Sequence, residues 1–224
     1  MVNMNMQYSL REIDPHNKAD VLAVAQMHFN LLNWGEMAQL GKLFLRRFCY
    51  KILIQDGLMK SALAEVDGKP SGFIAYTSYS ITFHRLAIKK HWFYILFIIF
   101  QSFFLSPLIL FRLARALRLI RSRRSEINHK KDPSAEILAI AVLPEYRTPQ
   151  FINKTGLRIS EDLFMLAVSY FRNLGINNMD IFVDAFNTQA LLFYKNLGGV
   201  IRPYSRAGAK MFQISFDFEK LTRI

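Results

Sequence analysis

The sequence predicts an α+β domain: a mixed, mostly antiparallel sheet flanked by helices, with a basic, apolar helical-hairpin insertion. Three observations lead there. Two apolar stretches, residues 60–66 and 71–77, are joined by Asp67-Gly-Lys-Pro70, which reads as a hairpin of antiparallel strands. Two later apolar stretches, residues 136–142 and 179–185, are separated by a helix-forming segment rich in Leu, Met, Ala and Phe (161–173). Between the two pairs lies a run from Trp92 to Phe111 without a single charge.

Composition bounds the answer. The 224 residues suit one domain over 1–224, with residues 84–131 inserted into it and ample length for a core. Apolar residues make up 52% of the chain, which excludes disorder as a description of the whole. The single cysteine, Cys49, excludes an internal disulfide and a cysteine-based metal cluster, and fits a reducing compartment. Lying in Arg46-Arg-Phe-Cys-Tyr50 on a predicted helix, it reads as a buried structural thiol. The five histidines (16, 28, 84, 91 and 129) show no ligand spacing, so no metal is expected. No basic-then-apolar leader opens the sequence, and a cytoplasmic setting is expected.

Taken in order, residues 7–13 alternate as an edge strand, and Asp14-Pro15 reads as an N-cap with proline at the first helical position. The helix it opens carries Val21, Leu22, Val24, Ala25, Met27 and Leu31 towards a core. Asn33-Trp-Gly-Glu36 is a break. A second helix is predicted over 37–54, with Leu40, Leu43, Phe44, Phe48 and Ile52 at helical spacing, and Asp56-Gly57 turns the chain into the hairpin. At the far end, residues 199–203 and 210–218 read as closing antiparallel strands, with Pro203 making the first short or an edge.

The chemistry concentrates between Ala135 and Gly199. Strand Glu136-Ile-Leu-Ala-Ile-Ala-Val142 leads through Leu143-Pro-Glu-Tyr-Arg147 to a loop with Lys154-Thr-Gly-Leu-Arg158. Strand Met179-Asp-Ile-Phe-Val-Asp-Ala185 leads into Asn187-Thr-Gln-Ala-Leu-Leu-Phe-Tyr-Lys-Asn-Leu-Gly-Gly199. This order, with Asn187, Ala190, Tyr194 and Gly198 at their spacing, resembles the GCN5-related N-acetyltransferase (GNAT) superfamily. A looser likeness links residues 37–50 to a subgroup with a helical insertion after the third strand. The resemblance covers residues 7–79 and 134–218.

The resemblance implies direct acyl transfer from acetyl-CoA, or another acyl-CoA, to a primary amine of a small molecule or sugar. It places the co-substrate on Ala139, Ile140, Ala141 and Val142 of the first strand, on Lys154, Thr155, Gly156, Leu157 and Arg158 of the loop, and on Asn187. Tyr194 would be the general acid facing the thiol, with Glu136 and Asp184 as near-equal candidates for the base. By analogy Asn33, Trp34 and Glu36 would face the acceptor. A strand edge can hold an extended pantetheine through main-chain groups, and a helix N-terminus suits a pyrophosphate. The loop departs from the family pattern: Gly156 fits, but Asn153 opens it and bulky Arg158 stands where a small residue is expected. Catalytic impairment is therefore the second reading: a GNAT-like binding protein or membrane-associated scaffold.

The insertion holds eleven Lys or Arg against one acid, Glu126, and so carries +10 of the chain's +12. Twenty uncharged residues match a membrane span in length, but the flanking strands belong to one sheet and must share one side of any membrane. Pro107 should divide the run into two helices, the second with Arg112, Arg115 and Arg118 on one face and Ile109, Leu113, Leu117 and Ile120 on the other. Three uses stay open: a hydrophobic cover on the core, an interfacial segment on an anionic membrane surface, or a basic wall that attracts an acidic acceptor. Nucleic acid is not expected, because the cations are interleaved with aliphatic residues and not with spaced stacking aromatics.

Overall fold

The computed structural model describes residues 6–105, 134–206 and 209–221. Strand β1 (Tyr8–Glu12) leads to helix α1 (Lys18–Leu31), a short α2 (Glu36–Gln39) and α3 (Lys42–Phe44). From α3 the chain winds on as a π-helix, Leu45–Leu53. Strands β2 (Lys60–Val66) and β3 (Lys69–Thr77) follow, then the long α4 (Phe83–Leu105). After the insertion come β4 (Glu136–Val142), a 3-10 turn (Pro144–Arg147), α5 (Pro149–Thr155) and α6 (Ile159–Asn173). The chain closes with β5 (Asn178–Asp184), α7 (Thr188–Asn196), β6 (Val200–Arg206) and β7 (Ala209–Asp217).

The strands form two sheets, β1-β2-β3-β4 and β5-β7-β6, antiparallel throughout each ladder. The expected α+β class is therefore what the molecule shows. The β2–β3 hairpin turns on Asp67 and Gly68 alone, both at positive φ (51° and 68°), so Lys69 and Pro70 join the strand. This is the two-residue geometry that matches strand twist. Pro203 sits in β6, which is an edge strand.

Alternate residues of the first sheet feed two cores. On one face Ala62, Ala64, Ile74 and Tyr76 pack against Leu163, Phe164, Ala167 and Phe171 of α6. On the other, Leu63, Phe73 and Ala75 meet Val24 and Ala25 of α1 and Leu45, Phe48 and Leu53 of the π-helix. The α6 core continues under the second sheet through Ile181, Val183, Ile214 and Phe216. Gly72 lets β4 and α6 close on β3, since a Cβ there would stand 2.9 Å from Val142 Cγ2 and 3.2 Å from Leu163 Cδ1.

Two local expectations are corrected. The α1 cap is Asn17, whose Oδ1 accepts from the Ala19 and Asp20 amides, while Asp14 accepts from the His16 amide in a preceding turn. Asp20 then bonds Arg11 of β1 twice (2.6 and 2.9 Å), which ties strand to helix and holds this carboxyl below its usual range. The predicted helix over 37–54 is split at Gly41 (φ 94°) and continues partly as a π-helix. Its wider turn buries the consecutive residues Cys49 and Tyr50 together. Of the insertion's expected hairpin, α4 is present with a kink at His91, and the second helix lies outside the described residues. Among the described residues no helix is long and apolar enough to cross a membrane.

Candidate active site

Strands β4 and β5 come together only at their start, where Ala135 and Met179 form a parallel bridge. Beyond it β4 is laddered to β3 and β5 to β7, so two strand edges face each other across a cleft. A bulge shapes the β4 wall. Ala139 pairs with Ala75 and Ile137 with Tyr76, which leaves Leu138 as an extra residue. The extra residue reverses the pleat: Ile137 points into the α6 core, Ala139 into the α1 core, and Val142 again into the α6 core.

The cleft has two chambers with shared walls. The inner one, about 220 Å³, is lined by Glu136 to Ile140 of β4 and Ile181 to Asp184 of β5, and also by His28, Leu32, Gly35, Met37 and His84. The outer one, about 460 Å³, is lined by Ile140, Ala141 and Val142 together with Arg147, Ser160, Gln189 and Phe193. Trp34, Asn187, Ala190 and Tyr194 border both.

Tyr194 lies on α7 among the rings of Phe164, Phe193 and Phe216 and is 3% exposed. Burial pushes its hydroxyl well above the ordinary phenol range, so it is protonated at neutral pH. Its helix is fixed at both ends. Asn187 Oδ1 caps it by accepting from the Ala190 amide at 3.2 Å. At the other end Gly198 turns at φ 88° and the Gly199 amide donates to the Tyr194 carbonyl at 2.9 Å. Glu136 is buried at the root of the cleft, and Asp184 stands at its β5 rim, half-buried.

His28 completes the inner wall, and no ligand spacing in the sequence marked it. Its Nδ1 is 2.5 Å from the Tyr50 hydroxyl, and its ring stacks on Phe73 with centroids 5.6 Å apart. Burial pulls its pKa down to about 4, so the imidazole is neutral at physiological pH. His28 falls on the buried stripe of α1 beside Val24 and Ala25, where a polar residue is the signal that could have singled it out.

The other expected site residues are placed as follows. Ala139 lines the inner chamber, Ile140 both, and Ala141 and Val142 the outer. Trp34 stands against Phe186 (centroids 6.2 Å, interplanar angle 77°), a contact that joins the α1–α2 loop to the β5–α7 loop. Asn33 is exposed and lines neither chamber; Glu36 opens α2, and its side chain lies outside the described residues. The loop Lys154–Arg158 also lines neither chamber. Thr155 is used locally, donating to the Phe151 carbonyl and accepting from the Leu157 amide. Gly156 ends α5 at φ 72°, and Leu157 packs at the edge of the α6 core. Lys154 is exposed, and Arg158 pairs with Glu161 at 2.9 Å. Arg147, from the turn after β4, and Ser160, in the first turn of α6, line the outer chamber. Among the described residues no group of three His, Cys, Asp or Glu could hold a metal ion.

No family model matches the sequence, and no curated protein matches it. Solved structures do match. The PaiA N-acetyltransferase of Thermoplasma acidophilum, solved with coenzyme A, is 13% identical with a TM-score of 0.53 over 94% of this chain and 99% of its own. NAA60 of Arabidopsis thaliana, solved with acetyl-CoA, is 16% identical with a TM-score of 0.54 over 95% and 99%. The spermidine N-acetyltransferase of Vibrio cholerae is 15% identical with a TM-score of 0.53 over 96% and 95%. The element order, the parting of β4 from β5 and these likenesses give the chain the fold of the GCN5-related N-acetyltransferases.

Proposed function

We propose that this protein is an acyltransferase that moves an acetyl group from acetyl-CoA directly to a primary amine of a small molecule or sugar. One observation carries the reading. Tyr194 stands where the two chambers meet, with the carboxylates Glu136 and Asp184 on the inner side and the cation Arg147 on the outer. The inner chamber suits an ammonium acceptor, because two carboxylates face it and the neighbouring His28 is neutral. The outer chamber suits the co-substrate. The free β4 edge at Ile140 to Val142 can bond an extended pantetheine, and Arg147 with the start of α6 can meet the pyrophosphate.

In the reaction, a carboxylate takes a proton from the ammonium, directly or through one water, and Glu136 and Asp184 are the candidates. The freed nitrogen attacks the thioester carbonyl and forms the C–N bond; the adduct's nitrogen gives up its second proton to solvent as the C–S bond breaks. Tyr194 fills the general-acid position as a hydrogen-bond donor, its O–H stabilising the charge that develops on the departing sulfur. A buried phenol ionises less readily than a thiol, so the proton is shared in a hydrogen bond and stays with the oxygen. The thiolate is finally protonated from solvent, which receives the amine's proton from the carboxylate. A cytoplasmic setting and contact with an anionic membrane surface through residues 84–131 belong to the same reading.

The test is thiol release from acetyl-CoA over a panel of amino sugars, nucleotide sugars, polyamines and peptides. Release with an amine, lost in Tyr194→Phe, supports the proposal. A second reading, a GNAT-like binding protein without turnover, draws on the outward-facing loop, where Arg158 is engaged with Glu161. That reading predicts a thermal shift with acetyl-CoA and no thiol release with any amine.

A further inference from the structure

Helix α4 is apolar on both sides, yet only one side is covered. Its 23 residues contain no Asp or Glu. The covered side carries Ile98 (0% exposed) and Ile99 (6%), and Gln101 there accepts from Arg47 of the π-helix at 2.8 Å. At the kink Lys90 and His91 both hold Asp56, which fixes the second half of the helix on the body of the protein. The opposite side presents Trp92, Phe93, Leu96, Phe97 and Phe100, each 48–70% exposed. Their spacing of i, i+1, i+4, i+5 and i+8 makes one continuous stripe along the helix. A stripe of that size facing water needs an occupant.

We propose that the Trp92–Phe100 stripe of α4 docks in the interface of an anionic lipid bilayer, with the first turns of the helix at headgroup level. This deepens the membrane part of the reading above and does not depend on acyl transfer. Charge selects lipid over the other occupants. Exposed Arg85 and Lys89 stand on the turns that precede the stripe, and no acid on the helix opposes them. The 28 residues from 106 to 133 leave directly from the end of α4 and rejoin the sheet at Ser134, and they hold eight of the insertion's eleven cations. An intramolecular cover of α4 could use the apolar Ile109, Leu113, Leu117 and Ile120 of that stretch but would gain nothing from its eight cations, which an anionic surface would use. A second copy would bring a chain of +12 against another of +12, which repels. Aromatic and leucine side chains beside lysine and arginine are the composition by which a helix lies in a bilayer interface.

Flotation of the full-length protein with vesicles tests the proposal, phosphatidylcholine alone being compared with phosphatidylcholine containing phosphatidylserine. The expected result is partitioning into anionic vesicles at least about tenfold above neutral ones, falling as salt rises. In a Trp34→Phe background, Trp92 fluorescence should shift to the blue on binding. The double variants Phe93→Ser/Phe97→Ser and Arg85→Glu/Lys89→Glu should each lose binding, with circular dichroism and the response to acetyl-CoA unchanged. A protein that ignores anionic vesicles, with Trp92 shielded from aqueous quencher, would overturn the proposal in favour of a cover formed by the chain itself. Concentration-dependent dimers abolished by Phe93→Ser/Phe97→Ser, again without vesicle binding, would overturn it in favour of a second copy. Because flotation and thiol release are read separately, failure of one leaves the other standing.

Discussion

His28 should make the protein acid-sensitive in a defined window. An unfolded imidazole takes up a proton below about pH 6.5, whereas the buried ring of His28 does so only at about 4. Between these values the unfolded chain binds the extra proton, so acid favours unfolding; the stability is complete above pH 6.5 and lost as pH falls towards 4. A displacement from 6.5 to about 4 corresponds to about 3 kcal/mol at 1.36 kcal/mol per unit. The buried carboxylate Asp20 loses its own contribution only as pH falls below its unfolded value of 3.8, so most of this window belongs to the histidine. Urea melts at pH 7 and pH 4 measure the change, and the same melts on His28→Gln supply the reference. Glutamine can still partner the Tyr50 hydroxyl but cannot titrate. The wild-type protein should lose about 3 kcal/mol more than the variant between the two pH values. Equal losses, or an NMR titration of His28 centred near 6.5, would refute the argument and leave the inner chamber open to a charged imidazole.

Three further outcomes are expected. Tyr194→Phe should lower turnover at least about tenfold while acetyl-CoA binding and the melting temperature stay nearly constant, as steady-state and thermal-shift measurements will show. Arg147→Ala should weaken acetyl-CoA binding and reduce its salt dependence, and Arg158→Ala should change neither; the reverse order would return the phosphates to the Lys154–Arg158 loop. Gly199→Ala should destabilise the fold by about 1–3 kcal/mol in urea melts, because the new Cβ would meet Ile214 Cγ2 at 2.6 Å and the Tyr194 carbonyl at 2.8 Å.

What the sequence by itself determined is what short-range chemistry decides. The apolar runs at residues 60–66 and 71–77 gave the strands, and Asp67-Gly-Lys-Pro70 gave the turn between them, which the chain makes on Asp67 and Gly68 alone because both take up positive φ. The α7 helix was legible from Asn187 at its start and Gly198 after its end. Where two local signals competed, packing chose: Asp14-Pro15 looked like the α1 cap, but Asp20 has to reach Arg11, and the helix starts three residues later at Asn17. The π-helix, the Leu138 bulge and the kink at His91 left no mark in the hydrophobic pattern, since each adjusts the chain to a neighbour far along the sequence. The site divides in the same way. The resemblance named Tyr194, Asn187 and the β4 edge, and all of them line the cleft. Only the tertiary structure set His28 on Tyr50, turned Arg158 towards Glu161 and put Arg147 and Ser160 at the outer chamber. Which side chains share a cleft is settled by how β4 and β5 part, and that separation depends on layers packed from both ends of the chain.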